Sequence, residues 1–521
     1  MLSRTGKLSL TAVVAGLLVA GCAPEAEEET AAALEGPPAA GIPVPPPEYC
    51  AQSPHDRLCS FVPHDVNVNF LAGYSALVPG FQRPFDNFSW QSFVALNWPA
   101  DAQGNPAPGP IGSAPDAPRV WMSYPTALEL FGVKTPSGLQ SDPSACAGVA
   151  EGEELPVMQL MSKSDHFEPT DGILESTGQP LIDRDLNFVL YDVRVNPVEA
   201  DYVRSEGLNT VGGQTVFVDK GKTVSFPRGK YDDPQARTGG SVGAMEIKTA
   251  WRILGDGDGG VPHPMYRTPA LVHVPASRSV TNRPFCFKTD LGLVGFHVIQ
   301  RTEGPARTPQ DWMWSTFAHV DDAPEAASPG DPATFQRVED ACAPPASPGG
   351  PYSFFDPACT GCTPNQPPDK KSGEALYLWA DSPPYAARYA TAGRYGTQVV
   401  RCWAIYPETE ELNRAFQQKL AGTVWANYRL INTQWQGGTE GRPGANGNLP
   451  RYLGNTTLET YIQGTASCLQ CHAFATLAVG KPGQPKPSAN FSFLLGLPRL
   501  HMGQGEGEAP GGSEAAAEPG S

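Results

Sequence analysis

The sequence predicts an α+β fold: a mainly β body closed by a small C-terminal helical segment. Three observations lead there. Pro and Gly number 55 each while only 17% of residues are charged, a composition of turns rather than long solvated helices. Strand-length runs rich in apolar and β-branched residues recur between Gly/Pro loops. Helical periodicity is confined to a few short stretches, one of them close to the C-terminus.

The elements follow in chain order. Residues 1–21 read as a signal peptide, with Arg4 and Lys7 ahead of an apolar run too short to span a bilayer. Leu18-Val19-Ala20-Gly21-Cys22 looks like a lipobox, which makes Cys22 the lipidated first residue of the mature chain. Residues 22–47, mostly Ala, Glu and Pro, suit a flexible tether. A β-rich body is expected over 48–450. It opens on a short helix at 86–98, with Asp86 as N-cap, Phe85, Phe88, Phe93 and Leu96 on one face, and Pro99 as stop. Strands are expected near 120–124, 186–195, 270–274, 291–300 and 398–405, and an amphipathic helix at 408–420. Residues 451–502 form the C-terminal helical segment, and 503–521 an acidic, Gly/Ala-rich tail.

A formal charge of −17 argues against nucleic acid and anionic lipid as partners. Contact with a membrane would run only through the lipid on Cys22, placing the chain in the cell envelope, at the outer membrane or facing the periplasm. The chain has 11 cysteines. Setting aside Cys22, Cys468 and Cys471 leaves eight, an even number that in an oxidising compartment suggests up to four disulfides of unspecified pairing.

The strongest chemical signal is Ser467-Cys468-Leu469-Gln470-Cys471-His472. In a c-type site two thiols add across the haem vinyl groups and the adjacent His binds the iron. Thr456 and Glu459 have capping-box spacing, and Gly480 and Pro482 mark a stop. On a helix through the motif, Cys468, Cys471 and His472 share one face, as attachment to one flat ring requires. A thioredoxin-like CxxC needs a βαβ setting the sequence lacks, and zinc needs further ligands. One covalent haem c is therefore expected, with His472 as the proximal ligand.

The distal iron ligand is open between His319, His297 and Met502. His319 ends the aromatic run that begins at Trp312, and His297 shares a strand face with Gly295, which would leave room for a ring. Two weaker patterns carry bland readings. The Gly255–Gly260 run resembles the start of a calcium loop, but Arg267 stands where a closing Glu belongs, so a solvated turn is favoured. Cys359 and Cys362 are followed by Thr363, not His, which favours a structural disulfide.

Together, the stretch from Trp90 to Pro99, Gly292-Leu-Val-Gly-Phe-His297, the run from Trp312 to Asp321, Cys468-Leu-Gln-Cys-His472 and Phe491-Ser-Phe-Leu-Leu495 resemble poorly characterised exported bacterial cytochrome c family proteins. The resemblance runs over about 85–500 and implies haem binding and at most electron transfer. The leading expectation is a tethered single-haem lipoprotein performing electron transfer or redox chemistry with an unidentified redox partner. A peroxidase- or oxygenase-like haem enzyme is the alternative, given the size of the body, and a non-catalytic haem-containing binding lipoprotein is a third.

Overall fold

Ten strands and six α-helices lie among the described residues: β1 Val157–Met158, β2 Leu190–Val195, β3 Met245–Ile253, β4 Arg267–Val274, β5 Phe285–Arg301, β6 Trp312–His319, β7 Glu325–Gly330, β8 Arg401–Trp403, β9 Tyr428–Gln436 and β10 Asn448–Leu449, with α1 Val78–Leu96, α2 Ala127–Leu130, α3 Pro197–Ser205, α4 Val211–Asp219, α5 Pro407–Lys419 and α6 Cys468–His472. The computed structural model describes residues 50, 58–66, 78–132, 146, 149, 155–158, 179–233, 238–255, 257, 259–303, 312–334, 336–340, 342–368, 378–386, 396–436, 448–481 and 483–503. The signal peptide, Cys22, the tether and the acidic tail lie outside them, as do Asp256 and Asp258 of the calcium-like run.

The 17-residue β5 organises one eight-stranded sheet. Its N-terminal half pairs with β4 and its C-terminal half with β6, while β3 pairs with residues 291–300. Leu291 and Gly292 pair with both β3 and β4, so those strands lie on opposite edges of β5. β2 extends the sheet beyond β3, and β9 and β10 extend it beyond β6. All pairings in this sheet are antiparallel except β1 with β4. The fold is α+β and mainly β, as its composition predicts.

Both faces of the central strands are covered, and every residue of β3 and of β6 is buried. One face receives α1. Phe93 packs on Phe296 and Phe317, and Ser89 Oγ lies 2.6 Å from Ser315 Oγ. The other face holds α3, α4 and the C-terminal segment, whose apolar residues form one cluster with Ile299, Trp312 and Trp314. Gln214 of α4 joins them, donating to the Leu495 carbonyl and accepting from the Ala478 amide. The segment after residue 450 thus shares its core with the body.

Local expectations fare unevenly. α5 falls where amphipathic spacing predicts it. α1 starts eight residues before Asp86, so Asp86 is not a cap. It lies fully buried, accepting from Gln82 and from the Thr409 hydroxyl, partners far away or unreadable in sequence. Residues 120–123 form a 3₁₀ turn rather than a strand, and only Arg401–Trp403 of the 398–405 run pairs. The eight remaining cysteines form four disulfides: Cys50–Cys59, Cys146–Cys286, Cys342–Cys402 and Cys359–Cys362. No described helix is long and apolar enough to cross a membrane.

Candidate functional site

Cys468, Cys471 and His472 lie on α6, a single five-residue turn of helix. The longer helix that the Thr456/Glu459 spacing predicts does not form. Instead Glu459 Oε2 accepts the Asn455 amide at 3.0 Å, closing a turn, and a 3₁₀ turn follows at Thr460–Ile462. What fixes α6 is β9. Gln434 Oε1 accepts the Leu469 amide at 2.8 Å, while Nε2 donates to the Pro450 carbonyl at 2.7 Å and to Ser467 Oγ at 3.1 Å. Leu469 is buried in the cluster that contains Trp314, which anchors the turn to the sheet.

This seating sorts the motif side chains. Cys468 is half-buried, Cys471 is exposed, and both lie outside the four disulfides. His472 is buried, with its ring 4.3 Å from that of Trp314 and 4.8 Å from that of Phe493. Its Nδ1 is 2.7 Å from the Phe491 carbonyl oxygen. A carbonyl only accepts, so Nδ1 carries the proton and the lone pair resides on Nε2. Asn490 and Phe491 both adopt left-handed backbone, with φ of 51° and 73°. That conformation is costly for a Phe and accompanies the carbonyl that meets His472.

The donor set fits a c-type haem on chemical grounds. Two thiols one helical turn apart precede an imidazole whose Nδ1–H is held by a backbone carbonyl, the usual way a metal-binding His is oriented for ligation through its other nitrogen. Phe474, two residues on, is 76% exposed and adds apolar surface beside Cys471. Among the described residues no group of three or more His, Cys, Asp or Glu side chains is arranged to hold a metal ion by itself.

The distal candidates separate by strand alternation. Trp314 is paired with Ile299, and Thr316 with His297, so His297 lies on the face that carries α6. His319 does not. It alternates with Phe317 onto the α1 face, where its ring meets Tyr428 and Asp321 N donates to its Nδ1. Burial pushes it down to about 4. The run from Trp312 to His319 is thus a wall for the motif at Trp312 and Trp314, but His319 is five positions after Trp314, an odd offset that puts them on opposite faces. His297 Nε2 stands 3.3 Å from Glu459 Oε2. The space expected beside Gly295 is filled, since a Cβ there would lie 2.2 Å from Thr457 Oγ1. Met502 falls in the 3₁₀ segment Phe493–Gly503, its side chain outside the described atoms.

Beside the motif the structure gathers residues that sequence reasoning passed over. Glu199 of α3, Glu246 and Lys248 of β3, and Glu459 are all buried. Burial, and then the neighbouring Glu246, raise Glu199 well above the usual carboxylate range. The available signal was the placing of Glu246 and Lys248, two positions apart in a strand run and flanking the apolar Ile247. Comparison with known proteins gives no match to a family model, to a curated protein or to a solved structure.

Proposed function

We propose that the chain is an exported lipoprotein, anchored through Cys22, that binds one covalent haem c and works in electron transfer or redox chemistry outside the cytoplasm. The observation that supports this reading is the state of the motif. Eight other cysteines are paired in disulfides, yet Cys468 and Cys471 remain outside them on the same turn as a His whose Nδ1 is committed to a carbonyl. Haem would supply a one-electron iron couple. Cys468 and Cys471 would hold it, His472 would ligate it through Nε2, and Trp314 and Phe493 would keep that imidazole in place. His297 would have to leave Glu459 to act as a sixth ligand, so Met502 is the preferred protein candidate. A sixth position without a protein ligand would instead favour the peroxidase- or oxygenase-like alternative.

The test is expression with periplasmic cytochrome maturation, followed by denaturation and acid-acetone extraction. Haem should stay with the polypeptide. Replacing Cys468 and Cys471 with Ala together should abolish attachment, whereas His472→Ala should retain haem and alter its optical spectrum. Extraction of all haem from the wild-type chain would overturn the proposal.

A further inference from the structure

The disulfide Cys359–Cys362 spans a sequence separation of 3, against 9, 60 and 140 for the other three. A bond that closes so short a loop restricts the unfolded chain least. The others are each set into the body. Cys146 and Cys402 are buried, and Gln91 Nε2 of α1 donates to Cys59 Sγ at 3.5 Å. Cys359 and Cys362 are both half-buried, in a stretch whose Pro357, Ala358, Thr360, Gly361 and Thr363 are exposed.

The loop keeps its shape through other contacts. On its N-terminal side the Asp356 amide donates to Gln398 Oε1 at 2.9 Å, and Asp356 Oδ1 accepts the Ala358 amide at 2.9 Å. The Asp356 carbonyl accepts the Cys359 amide at 3.1 Å. On the C-terminal side lies Asn365, fully buried. Its amide donates to the Gln398 carbonyl at 2.7 Å, and its Oδ1 accepts the Val400 amide at 2.9 Å. Both ends of the loop are therefore pinned to residues 398–400, just ahead of β8, by bonds that do not involve sulfur. The Cα atoms of Cys359 and Cys362 lie 5.8 Å apart, so two thiols released there stay within bonding reach of each other. Gly361, at a φ of 91°, leaves the approach clear. Among the described residues a Cβ there would meet nothing within 4 Å beyond its chain neighbours.

We propose that Cys359–Cys362 is a reversible thiol–disulfide exchange site that accepts an electron pair from the dithiol of a partner protein. A thiolate of the donor attacks one sulfur, forming a mixed disulfide and freeing the other cysteine, which takes a proton from solvent. The donor's second thiolate then displaces the remaining cysteine, which is protonated in turn. The donor leaves as a disulfide, and the loop has gained two electrons and two protons. Exchange depends on access to the sulfur under attack, and this is the bond where access and pinned ends coincide. The site is separate from Cys468 and Cys471 and does not depend on haem attachment.

The test is stepwise reduction of the full chain under native conditions, after Cys468 and Cys471 have been blocked with iodoacetamide. Reduced thioredoxin serves as the dithiol donor, and newly freed thiols are alkylated and mapped by mass spectrometry. Cys359 and Cys362 should be labelled first and together, with one thioredoxin oxidised per chain, while the cysteines of the other three bonds stay unlabelled. Oxidised glutathione should then close the pair again. Opening of another disulfide first, or no opening until the chain unfolds, overturns the proposal. Replacing Cys359 and Cys362 with Ser together should abolish thioredoxin oxidation and leave the denaturation midpoint close to that of wild type. A variant that does not fold, or whose midpoint falls as far as full reduction lowers it, assigns the bond to the fold and overturns the proposal.

Discussion

Asp86 is a carboxylate enclosed by α1, α5 and β9, and its environment has a thermodynamic consequence. Burial pushes it up to about 6 from 3.8, despite hydrogen bonds from Thr409 and Gln82. Between those two values the folded chain holds more protons than the unfolded chain, so this residue makes stability fall as pH rises from about 4 to 6. Above 6 the loss is complete and constant, on the order of 3 kcal/mol. Asp86→Asn should remove that dependence. Denaturant melts of wild type and variant should give a stability difference that changes by roughly this amount between pH 4 and pH 7. A pH-independent difference would show that Asp86 does not titrate in this window. His319 is a second residue whose surroundings decide its role. It lies in the core beneath Tyr428, and burial favours its neutral form.

Among the elements, α6 is the one least able to stand alone. Five residues make barely more than one turn, and an isolated turn of helix is unstable in water. Ser467 gives it no side-chain cap. Its register comes from Gln434, which bonds to Leu469, Ser467 and Pro450 at once. Gln434→Leu, similar in size, would leave the Leu469 amide and the Pro450 carbonyl without this partner. It should cost about 1–3 kcal/mol. Amide hydrogen exchange across residues 467–472 should accelerate while exchange in β3 is unaffected. Unchanged exchange at Leu469 would mean that packing against Trp314 positions α6 without Gln434.

At the scale of the molecule, distant parts of the sequence are tied together covalently as well as by the sheet. Cys146–Cys286 and Cys342–Cys402 close separations of 140 and 60 residues. In the chain-entropy account such closures restrict the unfolded chain by about 5 and about 4 kcal/mol. Cys402 is also fully buried beneath Asn365. Reducing the protein should therefore lower its denaturation midpoint sharply. Thiol labelling of the haem-free chain after unfolding under non-reducing conditions should find Cys468 and Cys471 but none of the eight disulfide cysteines. Equal midpoints with and without reductant would show that the sheet alone sustains the fold.

The sequence by itself determined the class of the fold, the even set of cysteines available for disulfides, α5 and the motif on α6. Each of these rests on local composition or spacing, which the chain carries wherever it folds. Alternation along β6 was also there to be read: it separates His319 from Trp314. Tertiary structure alone decided what is long-range. It placed Thr457 in the space left by Gly295, set Glu459 against His297, and buried Asp86 against Thr409 more than 300 residues away. It also tied the start of α3 to β3, where Asn196 Oδ1 accepts both the Glu199 and the Met245 amides. None of these contacts has a sequence period, because each depends on which strands become neighbours. That order is fixed by burying both faces of the sheet at once, a condition on the whole chain rather than on any segment of it.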